Sequence, residues 1–400
     1  MTRFGLAFLP NLSLITSAVS IVLPPTNTNF SKLAPRVPGH YPCDCYQVSG
    51  DDPGYFTHYK LWDFRNVPLP HSLNSGAFDP SDGALWEAET IPLSQTDFKN
   101  DWLTQSWSRS QTIDSTIPMA NADSNAFFAR HPNIPDASQL VLRTTRFEDH
   151  SSSAEIESQH GNFHRCSIRV RMRLMSKDAI TRRPEDETPD VNAVPKGACA
   201  GIFTYRSATC ESDVEFLTSD PRNTIHYANQ PDYDAVNDVI IPGASKTVTT
   251  VPTPWSEWTT HRMDWFVNTT SWYVDDMLQA VVSQSVPDRP SIIAMNLWSD
   301  GGIWTGDMHV GESVYMGVEW IEIAYNTSLT GDARFGTDQR HRQRPSDYGK
   351  ADHHAKRQMS GTEEQTRYWL RGNRDKAENR FGNMSTTLML KTIRRLGTEA

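Results

Sequence analysis

Residues 211–216 read Glu-Ser-Asp-Val-Glu-Phe, with carboxylates at i, i+2 and i+4. On an extended strand successive side chains point to opposite faces. Glu211, Asp213 and Glu215 therefore share one face, while Val214 and Phe216 point toward a core. Three adjacent like charges repel, so a strand that carries them needs a use for them. Cleavage of a glycosidic bond is the leading one, because it needs one carboxylate to attack the anomeric carbon and one carboxylic acid to protonate the leaving oxygen. The outer Cα atoms would stand roughly 13 Å apart at about 3.3 Å per residue. Side chains leaning together can approach the roughly 5–5.5 Å of a retaining pair, and the wider inverting spacing stays open. Asp213, between them, disfavours ionisation of its neighbours and can orient Glu211 by a hydrogen bond. An exposed polar strand face and a calcium-binding carboxylate cluster are the other uses of such a pattern.

Positioning these acids falls to a set of short strands. Tyr59–Arg65, Gln139–Thr145, Ser167–Leu174, Gly201–Arg206, Asn223–Ala228, Thr260–Phe266, Ser271–Asp275, Ser291–Trp298 and Met316–Ala324 alternate or carry β-formers between turn signals. Val267-Asn-Thr-Thr270 reads as a hairpin connection. In Ser167–Leu174, Ile168, Val170, Met172 and Leu174 face inward, and Arg169, Arg171 and Arg173 form a solvated outer face. Residues 21–60 and 66–138 read mostly as loop, with a short helix near 84–90, and 176–198 is a charged, Pro-punctuated loop. Many short strands and few helical periods predict an all-β sandwich.

The chain of 400 residues has a net charge of −10, which disfavours a nucleic-acid partner. That charge is unevenly spread. Residues 329–400 hold 15 Lys+Arg against 9 Asp+Glu, with low hydrophobicity, and read as a disordered or weakly helical tail. Arg3, the apolar run from Phe4 and the small residues around Ala18-Val-Ser20 predict a signal peptide over 1–20. No later segment is apolar enough to span a membrane. Sequons at Asn29, Asn268 and Asn326 accord with export. The spacing of Cys43, Cys45, Cys166, Cys199 and Cys210 does not fit a zinc site and, in a secreted chain, predicts one or two disulfides with a leftover thiol.

In order along the chain, these segments resemble glycoside hydrolase family 16, the β-glucanases with a concanavalin-like jelly roll. Glu211-Ser-Asp-Val-Glu215 matches the family's Glu-apolar-Asp-apolar-Glu. Ala154-Glu-Ile-Glu-Ser158 and Asn162-Phe-His-Arg-Cys-Ser-Ile-Arg-Val-Arg171 resemble the strands before it. Trp258-Thr-Thr-His-Arg-Met-Asp-Trp265 with Trp272-Tyr-Val-Asp275, then Asn296-Leu-Trp298 with Trp304, and Val318-Glu-Trp-Ile-Glu-Ile323 resemble those after it. The matches cover about residues 139–325. The resemblance implies a concanavalin-like β-jelly-roll sandwich with long loops over 21–328, with Glu211 as nucleophile, Glu215 as general acid/base and Asp213 as assisting carboxylate. Ser212, Asp276 in place of the usual Gly, and the long 176–198 loop depart from the pattern.

A polysaccharide cleft needs aromatic platforms edged by polar groups. Tyr205, Trp298 and Trp304 are the candidate platforms, and His226 and Asn229 the candidate polar contacts. Trp265, Trp272 and Trp320 are expected in the core, and His261 is expected to pack structurally. The expected activity is that of a secreted, retaining β-glucanase on β-1,3 or mixed β-1,3/1,4 linkages, extracellular or cell-wall associated and monomeric. It needs no cofactor and no catalytic metal, and its partner is the polysaccharide. A transglycosylase on the same residues, a lectin on the same fold, or a calcium-stabilised extracellular β domain are the alternatives.

Overall fold

The computed structural model describes residues 45–48, 54–70, 89–187, 189–234, 236–237 and 239–328. The expected signal peptide, the 329–400 tail, Asn29 and Cys43 lie outside them, as does most of the 84–90 helix. The described residues fold as two antiparallel sheets packed face to face, as the alternating pattern requires. One sheet runs Trp102–Thr104, Ser151–Ser158, Ile292–Trp298, Cys199–Ser207, Cys210–Leu217, Ile225–Gln230 and Ser245–Val248. The acidic strand sits inside this sheet, paired on both edges.

The second sheet runs Met277–Val282, Thr270–Val274, Thr259–Trp265, Phe163–Met175 and Ser313–Thr327. The far edge of that last strand is shared between Ser138–Arg146 and His58–Asp63, and Ala126–Arg130 continues beyond Ser138–Arg146. The strand Ser151–Ser158 belongs to both sheets. Its Ser151–Ser152 end pairs with Arg146–Thr145, while Ala154–Glu157 pairs with Leu297–Ala294. Strand pairing thereby closes on itself around the molecule. Among the described residues no helix is long and apolar enough to cross a membrane.

Between the sheets, Ile156, Ile202, Val214, Phe216, Met295 and Leu297 meet Ile168, Val170, Met172, Met263, Trp265 and Ile323 in one core. Each such burial stabilises the fold by about 1.5–3 kcal/mol. Trp265 and Trp272 lie in this core as expected, whereas Trp320 is only half-buried on the outer face. The arginine triplet does not form a simple solvated face. Arg169 and Arg171 pair with Glu322 and Glu319. Arg173 is buried, held by Ser256 O at 2.6 Å and Asp190 at 2.9 Å. The 176–198 segment covers it and contains a short helix, Lys177–Thr181, capped by the Ser176 hydroxyl.

Candidate active site

Cross-strand register sets the site. Glu211 lies opposite Tyr205 and Gln230, Asp213 opposite Phe203 and Ala228, and Glu215 opposite Gly201 and His226. Directly opposed residues project to one face, so these residues form a continuous surface on the side of the sheet away from the core. Ser212, Val214 and Phe216 face inward. Glu211 and Asp213 are nearly enclosed, only 8% and 7% exposed, and Glu215 is half-buried.

Enclosure decides their ionisation. Burial, then the negative charge of Asp213, pushes the Glu211 carboxyl well above the ordinary carboxylate range. Burial raises Asp213 to about 7, against the lowering effect of hydrogen bonds from Glu211 and from Gln230 Nε2 at 3.2 Å. Glu211 and Asp213 are hydrogen-bonded to each other, which requires a proton between them. Glu215 also rises to about 7, through burial and then Asp213, with His226 and Cys199 working the other way.

The carboxyls open onto a cavity of about 220 Å³ walled by Trp107, Arg109, Met119, Asn121, Glu155, Phe203, Asn296 and Trp298. Gly201 lies in its lining, where a Cβ would stand 2.7 Å from Asn296 Oδ1. Any side chain at this position would displace Asn296. Opposite the acidic strand, Glu155 is buried and accepts hydrogen bonds from Trp107 Nε1 at 2.9 Å and Asn296 Nδ2 at 3.4 Å. The Arg109 guanidinium lies 5.8 Å from the Trp298 ring centroid and is anchored to Asp300 at 2.7 Å. Asp300 also accepts from Ser115 Oγ, Thr305 Oγ1 and Gly302 N, tying two loops together at the end of the cavity.

Of the residues expected to contact substrate, Trp298 lines the cavity. Tyr205 lies on the same face beside Glu211, packed against Phe203, Ile292 and Ala294. His226 stands beside Glu215, but both ring nitrogens are engaged, with Asp220 Oδ2 at 2.8 Å and Thr247 Oγ1 at 3.0 Å. Trp304 packs edge-on against His226 with centroids 4.9 Å apart. Asn229 requires a correction. It faces the core, fully buried, where it accepts from Ser212 Oγ at 2.6 Å and donates to Gln284 O at 3.0 Å. Glu155, Asn296, Gln230, Trp107 and Arg109 were not singled out from the sequence. Glu155 and Asn296 had a signal, since each lies within a segment already matched to the cleft sheet.

Among the described residues no group of three or more His, Cys, Asp or Glu is arranged to hold a metal ion. The expected disulfides are not formed by Cys166, Cys199 and Cys210, which are buried free thiols. Cys199 turns to the cleft and meets Glu215, while Cys210 meets Asp288. The Asn268 sequon is exposed in its hairpin turn, whereas the Asn326 amide donates to Tyr55 O and accepts from Thr57.

No family model matches the chain. Curated relatives are β-glucanases, including that of Bacillus subtilis, 27% identical over 135 residues covering 31% of this chain and 51% of the relative. That of Paenibacillus polymyxa is 25% identical over 139 residues, covering 32% and 54%. The chain thus spans about half the length of the curated relatives it matches. Similar solved structures include a Bacillus licheniformis β-glucanase, with TM-score 0.42 and 20% identity over 60% of this chain and 97% of that one. A family 16 endo-glucanase from Bacteroides ovatus has TM-score 0.41 and 15% identity, over 58% and 98%. The resemblance of this chain to family 16 β-glucanases stands.

Proposed function

We propose that the protein is a retaining glycoside hydrolase that cleaves β-1,3 or mixed β-1,3/1,4 glucan. The observation that carries the reading is the convergence of Glu211, Asp213 and Glu215 on one strand face, lining a cavity walled by Trp107 and Trp298. Aromatic walls suit the apolar faces of pyranose rings. A carboxyl raised to about 7 can still be protonated near neutral pH.

In this reading the proton shared by the Glu211–Asp213 pair, which rests on Glu211 in the free protein, passes to Asp213 before the attack and leaves Glu211 a carboxylate. Glu211 forms a bond to the anomeric carbon as the glycosidic C–O bond breaks, and Glu215 gives its proton to the leaving oxygen. Glu215, now a carboxylate, takes a proton from water as that water attacks the anomeric carbon. The Glu211 ester is released with net retention. The N-terminal apolar run and the exposed Asn268 turn support secretion as part of the same proposal.

Glu211→Gln and Glu215→Gln should each reduce release of reducing ends from lichenan and laminarin to background, with the circular dichroism spectrum unchanged. Full activity in either variant refutes the assignment. Proton NMR of the first product should show the β-anomer; an α-anomer would mean inversion. A product series dominated by longer oligosaccharides would identify a transglycosylase on the same residues.

A further inference from the structure

Around Glu215 lies a set of side chains that the proposed reaction does not call on. Cys199 precedes it on the neighbouring strand and is fully buried, with Sγ 3.6 Å from Glu215 Oε1 and 3.7 Å from Ala200 O. Trp304, packed edge-on against His226, bears on the same thiol. On the other side, His226 sits in register with Glu215 and is fixed by Asp220 and Thr247. The Trp304 loop is fixed as well: Ser219 Oγ donates to Thr305 O at 2.7 Å, and Thr305 Oγ1 donates to Asp300 at 2.8 Å.

We propose that Cys199 and Trp304, backed by the Asp220–His226 pair, form a collar of positioning residues that holds the Glu215 carboxyl in place in both of its protonation states. This rests on the reading of Glu215 as the acid/base. A thiol has one proton and two acceptors here. When Glu215 is a carboxylate the thiol donates to it, and when Glu215 carries the proton the thiol turns to Ala200 O. The carboxyl then need not move between giving a proton and taking one. A sugar hydroxyl has no part in this, because both His226 nitrogens are occupied and Cys199 has no exposed surface. The charges that act on Glu215 come from Asp213 on its own strand, His226 on the next and Asp232 in the following loop, and Asp300 bears on Cys199.

The test is a direct titration of Glu215 by carbon NMR of carboxyl-labelled glutamate, with its resonance assigned by its loss in Glu215→Gln. Removing the donor in Cys199→Ala should raise the Glu215 midpoint by about half a unit, roughly threefold in the ionisation equilibrium. Cys199→Val, which fills the space without a donor, should do the same and guards against a variant that fails to fold. Cys199→Ser should restore the wild-type midpoint. On β-glucan the alkaline limb of kcat should move with the midpoint while KM holds. If Cys199→Ala and Cys199→Val titrate as wild type, the collar is packing only and the proposal is overturned. If the wild type lacks glucanase activity, the enzymatic reading fails and the titration still decides the collar.

Discussion

A carboxyl that must first give a proton and then take one works best with a pKa near the working pH. Burial is the largest cause of the rise of Glu215 to about 7, and the negative charge of Asp213 adds to it. In the proposed first step Glu215 acts as the acid, so kcat/KM should fall as pH rises through about 7 and the group ionises. A pH–rate profile on lichenan measures this; a rate that stays level to pH 9 would contradict it. The three acids were legible because a period of two projects them together whatever the surroundings. Asn229 was misplaced although parity alone could have corrected it, since residues three apart on a strand cannot share a face with His226. Glu155 gains its meaning only when Ile292–Trp298 brings Asn296 beside it and the 105–107 loop brings Trp107.

Among the elements, the hairpin joining Thr270–Val274 to Met277–Val282 explains one departure from the family pattern. Its two turn residues, Asp275 and Asp276, have φ of +46° and +62°. Both lie in the left-handed region, as a two-residue hairpin turn with right-handed strand twist demands. Glycine meets this demand without steric cost, and an L-residue there costs roughly 1 kcal/mol. Asp275 offsets its cost by accepting from Thr260 N at 3.0 Å and Thr253 Oγ1 at 2.8 Å. Asp276 has only a distant Arg262 at 3.9 Å and is largely exposed, so that pair contributes little. Asp276→Gly should therefore raise the melting temperature by about 2 °C, and Asp275→Gly should lower it, as calorimetry would show. The strand after this turn was missed in the sequence for the same reason: no Gly marks the turn, and Met277, Leu278 and Val281 sit exposed at a sheet edge. Ser151–Ser158 was identified only by resemblance, because it changes sheets midway and no single alternation describes it.

At the scale of the whole molecule, two buried sets of titratable groups pull stability in opposite directions. Burial raises the cleft carboxyls Asp213 and Glu215 to about 7, and raises Glu157, two residues along the strand from Glu155, to about 8. The folded protein thus binds more protons than the unfolded chain between about pH 4.5 and 8, and stability falls as pH rises across that window. His261 acts in reverse. It packs edge-on to Phe216 behind the acidic strand, and among the described residues neither ring nitrogen finds a partner. Burial lowers it from 6.5 to about 4, so the stability it preserves is fully present above pH 6.5 and lost as pH falls through 4. The full gap corresponds to roughly 3 kcal/mol. Several carboxyls oppose one imidazole between these limits, which places the stability maximum on the acidic side of neutrality. Calorimetry from pH 3.5 to 8.5 should give the highest melting temperature at about pH 5, with a decline toward pH 8. Glu157→Gln should flatten the alkaline decline and His261→Phe the acidic one. A maximum above pH 7 in the wild type would mean that the cleft carboxyls are ionised in the folded protein at little cost. The shared-proton arrangement of Glu211 and Asp213 would then be wrong as well.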